Sequence, residues 1–323
     1  QAEDGIRDVE RSRGLGDVYK RQVIYAAGAR ERHIHEIGVT GARCSGIYTA
    51  GEAQAMMDLW GIMPGKEVVI IGSGDVGLIV ARRLVLEGAC VKAVVEMRPY
   101  PGGLTRNIVQ CLEDYNVPLY LSHIVREAKG RGRVERVVIR KVDEEGEPIP
   151  GSEYEIECDT VIVAAGLTPN VRLLERAGVM LDSSTGGPVV NEFLETSLPG
   201  VFVAGNSLLI NDYVDYVVEQ GETAAEGAKI FVEEDGIPTF RWRRVVKGWN
   251  IRLLAPHLVS GERSVVFYAR VRSPERNVKI VFREIGKAFP YPVVRPAEMI
   301  RLKLPARDIS LARDRLTMEV AYT

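Results

Sequence analysis

The hydrophobic and polar positions of this chain change period several times, and each change predicts an element. From residue 65 the run GKEVVIIG carries a short β-branched block, which predicts a buried parallel strand over 67–71. A helix is expected next, over 75–87, with Val76, Ile79, Val80, Leu84 and Leu86 as its apolar positions and Gly88 as its stop. VKAVVE then reads as a second strand, ending at Glu96. Residues 105–115 predict a helix with Ile108, Val109 and Leu112 on one face, and Pro118 precedes a strand over 119–125. RVERVVIRKV and EYEIECDTVIVAAG read as strands flanking the turn-rich DEEGEPIPGS. Together these predict a βαβαβ unit completed by a β-meander.

Two strand-to-turn segments of one form flank that unit. VIYAAGAR ends in Ala27-Gly28, and TVIVAAGLTPN ends in Ala165-Gly166. A third strand, over 200–204, ends in Gly205-Asn206 and leads to a helix over 212–233. Beyond residue 240 the period falls to two in SVVFYARV, NVKIVFRE, EMIRLKL and LTMEVAY, which predicts a small sandwich-like β-domain.

The densest chemistry lies between the first strand and helix of the unit. Gly72, Ser73, Gly74, Asp75, Val76 and Gly77 form GxGxxG. Gly72 permits the tight turn, Gly74 lets the backbone approach a pyrophosphate, and Gly77 lets the helix pack on the strand. The helix N-terminus holds the phosphates. Glu96 stands where an acid binds the two ribose hydroxyls of an adenosine, which favours NAD over NADP. Arg98 argues the other way, since a nearby arginine accommodates a 2′-phosphate. Asp75 suits the helix dipole but repels a pyrophosphate. It is expected to point away from the phosphates, either toward the nicotinamide side or into a plain capping role. Gly102-Gly103 is either a loop near the cofactor or an ordinary turn.

On these motifs the chain resembles the two-dinucleotide flavoproteins of the pyridine nucleotide-disulfide oxidoreductase superfamily. Among them it is most similar to the non-dithiol types that accompany glycerol-3-phosphate dehydrogenase or form sarcosine and opine oxidase subunits. The resemblance implies an α/β fold in which a Rossmann-like NAD(P)-binding domain (65–154) is inserted in an FAD-binding domain (23–64 and 155–235). A basic β-rich domain (240–323) follows. It implies FAD contacts at Ala27, Gly28, Gly166, Gly205 and Asn206. Asn206 stands where the family has an acid, and an amide cannot serve as a charged acceptor. It also implies hydride transfer between NAD(H) and flavin, carried by the cofactors, so no catalytic residue is named. The electrons then pass to a small-molecule or protein acceptor. The alternative is a non-catalytic or electron-transfer subunit of a larger complex, or a simple NAD-binding regulator.

Two features depart from that family. The redox CxxC is missing: Cys44, Cys90, Cys111 and Cys158 are scattered. That suits a reducing cytoplasm and argues against a metal site, and buried free thiols are the ordinary expectation. The first GxGxxG is also missing before Val23. Residues 1–22 resemble the translation of sequencing-library adapters, so this leader is expected to be foreign, and upstream native sequence to be lost. On that expectation the chain binds NAD, and binds FAD poorly or not at all.

Charge adds one asymmetry. Residues 236–323 hold 18 Lys/Arg against 7 Asp/Glu, within a chain of net charge −2. The basic stretch RWRRVVKGWN, with Arg241, Arg243, Arg244 and Lys247, reads as a linker strand with solvated charges or as a dock for an acidic partner subunit or anionic ligand. No nucleic-acid motif accompanies the charge, and no apolar run is long enough for a membrane span. His33 and His35 are expected to be solvated loop residues, with no metal assigned.

Overall fold

The computed structural model describes residues 21–322, so the foreign-leader expectation falls almost wholly outside the described residues. The described contacts divide the chain into two compact units. The inner unit comprises Ala29–Thr168 and Val294–Glu298; the outer unit ends its first segment at Gly28 and continues through Pro169–Val293 and from Met299.

The outer unit begins with β1 (Val23–Tyr25), and the inner unit follows with β2 (Ala29–Glu31), β3 (Thr40–Gly41) and β4 (Ile47–Thr49). Helix α1 (Ala50–Trp60) comes next, capped by Thr49 and Glu52, each of which accepts the other's backbone N–H. Then come β5 (Glu67–Ile71), α2 (Asp75–Leu86), β6 (Cys90–Val95), α3 (Thr105–Cys111), β7 (Leu119–Tyr120), β8 (His123–Lys129), β9 (Arg136–Lys141), β10 (Tyr154–Glu157), β11 (Thr160–Val163) and β12 (Leu167–Pro169).

Five strands form a parallel sheet in the order β4-β11-β5-β6-β7. A second sheet, β10-β9-β8-β3, lies over one face, and β12 pairs with β2. The parallel sheet is wider than residues 65–154, because β4 and β11 pair on the far side of β5. The reason lies in β11. Its four residues Thr160–Val163 are all buried, and a buried strand needs hydrogen-bond partners on both edges. One core joins Val68, Ile70 and Ile162 to the helices through Leu78, Leu84 and Met57. The other joins Val69, Ile71 and Val161 to the meander through Val125, Val137 and Ile139.

Several local expectations are corrected. On α2, Leu78, Val80, Ala81 and Leu84 are buried, while Val76, Ile79 and Leu86 are exposed. The helix carries more apolar positions than one face can bury. The helix expected over 105–115 is α3 followed by a separate 3-10 turn at Glu113–Tyr115. The strand expected over 119–125 breaks at Ser122, whose φ is 53°. The cysteines are free, but Cys90 is exposed and Cys44 half-buried, leaving Cys111 and Cys158 as the buried pair.

The outer unit resumes with α4 (Arg172–Arg176), β13 (Val201–Val203) and α5 (Val214–Glu233). β13 pairs in parallel with β1, whose Val23 and Ile24 remain exposed. There follow β14 (Arg243–Lys247), β15 (Ile251–Ala255), β16 (Leu258–Val259), β17 (Val265–Val271), β18 (Glu275–Phe282), β19 (Lys287–Val294), β20 (Ile300–Leu304), α6 (Ala306–Ile309) and β21 (Arg315–Tyr322). They build two sheets, β16-β14-β21-β18-β19 and β15-β17-β20. Their core contains Phe267 against Phe282, with ring centroids 5.2 Å apart. The β-rich segment is one unit with residues 169–235: Leu253, Ala255 and Tyr268 share a core with Phe202, Leu208 and Ala224.

The arginine-rich stretch is largely spent inside this unit. Arg243 is buried and donates to the carbonyls of Ala312 (2.5 Å), Ser310 (3.3 Å), Arg241 (3.3 Å) and Ser260. Lys247 bonds Ser184 at 2.5 Å and Asp182 at 3.2 Å. Burial alone would raise the Asp182 carboxyl; the facing His257 ring, Ser184 and Lys247 outweigh it and hold it far below the ordinary carboxylate range.

Replacing Arg243 by Met is expected to cost about 3 kcal/mol or more, because several buried carbonyls lose their donor at roughly 1–3 kcal/mol each. Urea titration of both proteins checks this. The thiols offer a second test. Burial pushes Cys158 up to about 12, so at pH 8 it stays protonated and inert. Iodoacetamide should label exposed Cys90 in the native protein and spare Cys158 until denaturant is added, as read by peptide mass mapping.

Candidate functional site

The glycine turn lies at the carboxyl end of β5, the middle strand of the parallel sheet. Gly72 has φ +101°, and a Cβ there would stand 2.4 Å from the Ala164 carbonyl oxygen. A Cβ on Gly77 would stand 2.6 Å from the Gly72 oxygen and 2.9 Å from the Ala164 Cβ. These two glycines therefore serve close backbone packing. Gly74 differs: its φ is −66°, and a Cβ there would meet nothing within 4 Å. It is the N-cap of α2, so the first N–H groups of the helix, which lack intrahelical partners, begin beside it.

Glu96 directly follows β6, beneath this turn. It is 9% exposed. Its Oε2 accepts from the Ser73 N–H at 3.0 Å and the Ser73 hydroxyl at 2.5 Å, and its Oε1 accepts from the Arg98 N–H at 3.0 Å. The Ser73 Oγ also accepts from the Gly102 N–H at 2.7 Å. Asp75 turns toward α3, where its Oδ1 accepts from the Leu104 N–H at 2.9 Å and Asn107 Nδ2 at 2.6 Å. This corrects the plain capping role on its own helix. Asp75 points toward the β6 side of the sheet, the side of Glu96, and it caps α3's entry rather than its own helix. The signal was the Pro-Gly-Gly after β6, whose distance from the turn in sequence hid its nearness in space. Val76 points outward and is exposed.

On the other side of the turn the inner unit has a cavity of about 300 Å³. It opens at the carboxyl ends of β4 and β11, with Thr49 and Val163 in its wall beside His33, Ile34, Cys44 and Ala128. His33 and His35 are both exposed there. Gly166 follows β11 with φ +92° and open space at its Cβ position.

The remaining candidates gather in the outer unit. Gly28 has φ +70° and open space beside it, and its carbonyl accepts from the Ser207 hydroxyl at 3.1 Å and the Asn170 N–H at 3.0 Å. Asn170 Nδ2 donates to the Ala27 carbonyl at 3.0 Å. Gly205 has φ +67°, and its N–H donates to Gln220 Oε1 at 3.0 Å. The Asn206 Oδ1 accepts from the Asn211 N–H (3.0 Å) and Nδ2 (3.3 Å), while Gln220 Nε2 donates to Asn211 Oδ1 at 2.9 Å. Sequence reasoning missed Asn170, Ser207, Asn211 and Gln220. Isolated amides carry no spacing signature, and only the return of α5 against the loop brings them together.

The candidates thus form two groups, one around the β5–α2 turn and one around Gly28 and Gly205. A family model described as pyridine nucleotide-disulphide oxidoreductase matches residues 7–228. The chain is 31% identical over 176 residues to an NAD(P)H sulfur oxidoreductase (CoA-dependent) of Pyrococcus abyssi, covering 52% of this chain and 36% of that protein. It thus spans about a third of that relative's length. Among solved structures, T. acidophilum thioredoxin reductase superposes with a TM-score of 0.55 at 27% identity, over 68% of each chain. An NAD-dependent persulfide reductase from A. fulgidus superposes with a TM-score of 0.54 at 21% identity, over 89% of this chain and 52% of that one, which speaks for the fold. With a family match across more than half its length, the chain belongs to the pyridine nucleotide-disulphide oxidoreductase family.

Proposed function

We propose that the protein is an NAD(H)-linked flavoprotein oxidoreductase, with NAD(H) bound across the carboxyl ends of the parallel strands of the inner unit. The observation that carries this reading is Gly74, an N-cap with open space where a side chain would stand, at the head of a helix whose free N–H groups suit a pyrophosphate. Gly72 and Gly77 make the turn tight, and Asp75 and Val76 lend backbone N–H groups. Ser73 holds Glu96 below the turn. Its buried negative charge disfavours a 2′-phosphate and supports NAD over NADP, with the Arg98 side chain as the opposing influence. The adenosine half then lies on the β6 side and the nicotinamide half on the β11 side, toward the cavity at Thr49 and Val163.

For FAD, the groups that fit are Ala27, Gly28, Gly205 and Asn206, all of the outer unit. Asn206 already accepts through Oδ1, so its Nδ2 is the group left to offer. It would donate to a cofactor oxygen, where an acid would accept. NAD(H) and FAD, when bound, supply the hydride chemistry itself. The protein's contribution is to bind, orient and shield. The electron acceptor is a small molecule or a protein. The exposed Arg244, Arg276, Lys303, Arg307 and Arg313 suit an acidic one. The free cysteines are consistent with a cytoplasmic setting, and no helix among the described residues is long and apolar enough to cross a membrane.

Titration of NADH fluorescence tests the binding reading. Wild type should bind, and Gly74→Ala should keep the wild-type melting temperature yet lose about tenfold or more in affinity, since the added methyl meets ligand and not protein. Absence of NADH binding by the wild type would remove the proposal. Bleaching of the flavin band on anaerobic addition of NADH to FAD-loaded protein tests the hydride step.

A further inference from the structure

Three side chains of the nucleotide fingerprint hold one loop. The Arg98 N–H donates to Glu96, the Gly102 N–H to Ser73 and the Leu104 N–H to Asp75, at 3.0, 2.7 and 2.9 Å. Between these anchors stand Pro99 and Pro101, which have no N–H to give and stiffen the strap. The loop also lies directly on the turn. A Cβ on Gly103 would stand 2.6 Å from Leu78 Cδ1, 2.9 Å from Asp75 Oδ1 and 3.1 Å from the Ser73 oxygen. A Cβ on Gly102 would stand 3.5 Å from the Gly74 nitrogen. At Gly103 the fit is tight enough to favour glycine, whereas a Cβ on Gly102 would make ordinary contact.

We propose that Asp75 is a positioning residue that fastens the 98–104 loop against the glycine turn and so builds the wall for the adenosine half of the dinucleotide. This rests on the NAD(H) reading above and deepens it. Asp75 sits in the first turn of α2 but gives its carboxylate to α3, through the Leu104 N–H and Asn107. An acid beside a pyrophosphate is unfavourable unless its charge is engaged elsewhere. Two donors at the start of α3, the N-cap Leu104 N–H and Asn107 Nδ2, engage it. The loop so fixed also supplies the Gly102 N–H to the Ser73 hydroxyl, which orients that hydroxyl's proton toward Glu96. Thus the Asp75 carboxylate acts on the ribose side of the site without itself touching ligand, through a chain of backbone donors. The role demands an acceptor at Oδ1 rather than a negative charge, which separates it from a purely electrostatic one.

The full chain is titrated with NADH, with 5′-AMP and with nicotinamide mononucleotide, using wild type, Asp75→Ala, Asp75→Asn and Asn107→Leu. Hydrogen exchange is followed at the amides of Gly102 and Leu104. Asp75→Ala and Asn107→Leu should weaken 5′-AMP and NADH about tenfold, the scale of one or two lost hydrogen bonds. Nicotinamide mononucleotide should be unaffected, and both amides should exchange faster. Asp75→Asn keeps an acceptor and should restore affinity and protection. Unchanged 5′-AMP affinity in Asn107→Leu, or an Asp75→Asn protein as weak as Asp75→Ala, overturns the inference while leaving the NAD(H) reading in place. Failure of the wild type to bind NADH overturns both. Should Asp75→Ala fail to fold, Asn107→Leu, altered at a half-buried position, decides the matter.

Discussion

The glycine turn after β5 depends on one buried carboxylate. Glu96 places a charge under the turn, and such a group persists only when hydrogen-bonded. Three donors answer it, two from Ser73 and one from Arg98. Each donor lies at a point where the chain must bend, so the requirement of one acid fixes the end of β5, the end of β6 and the start of the loop to α3. The glycines then remove the steric objection to so close an arrangement. Gly72 and Gly77 pack against Ala164 and each other, Gly102 and Gly103 lie on the turn, and Gly74 alone faces open space. Among these glycines packed and open positions can therefore be told apart, which the spacing GxGxxG does not do.

The outer unit solves a different problem. Its β-rich segment is strongly basic, yet much of that charge is internal wiring. Arg243 gathers carbonyls, Lys247 joins the Asp182 cluster, Arg270 pairs with Asp212, and Arg301 with Glu219. These bonds tie the β-sheets to the loop before α5 and to α5 itself, which explains why residues 169–235 and the β-rich segment form one unit. The same loop holds Gly205 and Asn206 through Gln220 and Asn211. The amide of Asn206 is thereby committed on its oxygen side, which leaves its Nδ2 as the group it can offer.

Much of the order of elements was legible in the chain. The block at 67–71 and the alternating stretches SVVFYARV and LTMEVAY follow from hydrophobic period, and the helix expected over 212–233 begins at Val214. The fingerprint glycines were legible as a tight turn between strand and helix, because that turn needs local backbone shapes that only certain residues permit. What period could not decide was which apolar residues are buried. Val76, Ile79 and Leu86 have the same character as Val80 and Leu84, and only the placement of the sheet leaves them outside.

The sequence by itself determined the local grammar: strand, glycine turn, helix, acid, and the family to which that order belongs. The tertiary structure decided partnerships. It widened the parallel sheet with β4 and β11, merged the basic β-segment with the chain before it, and turned Asp75 from its own helix to the next. Hydrogen bonds between residues some 30 positions apart, such as Asp75 with Leu104 and Asn107, leave no periodic trace, because their geometry is set by the packing of whole elements.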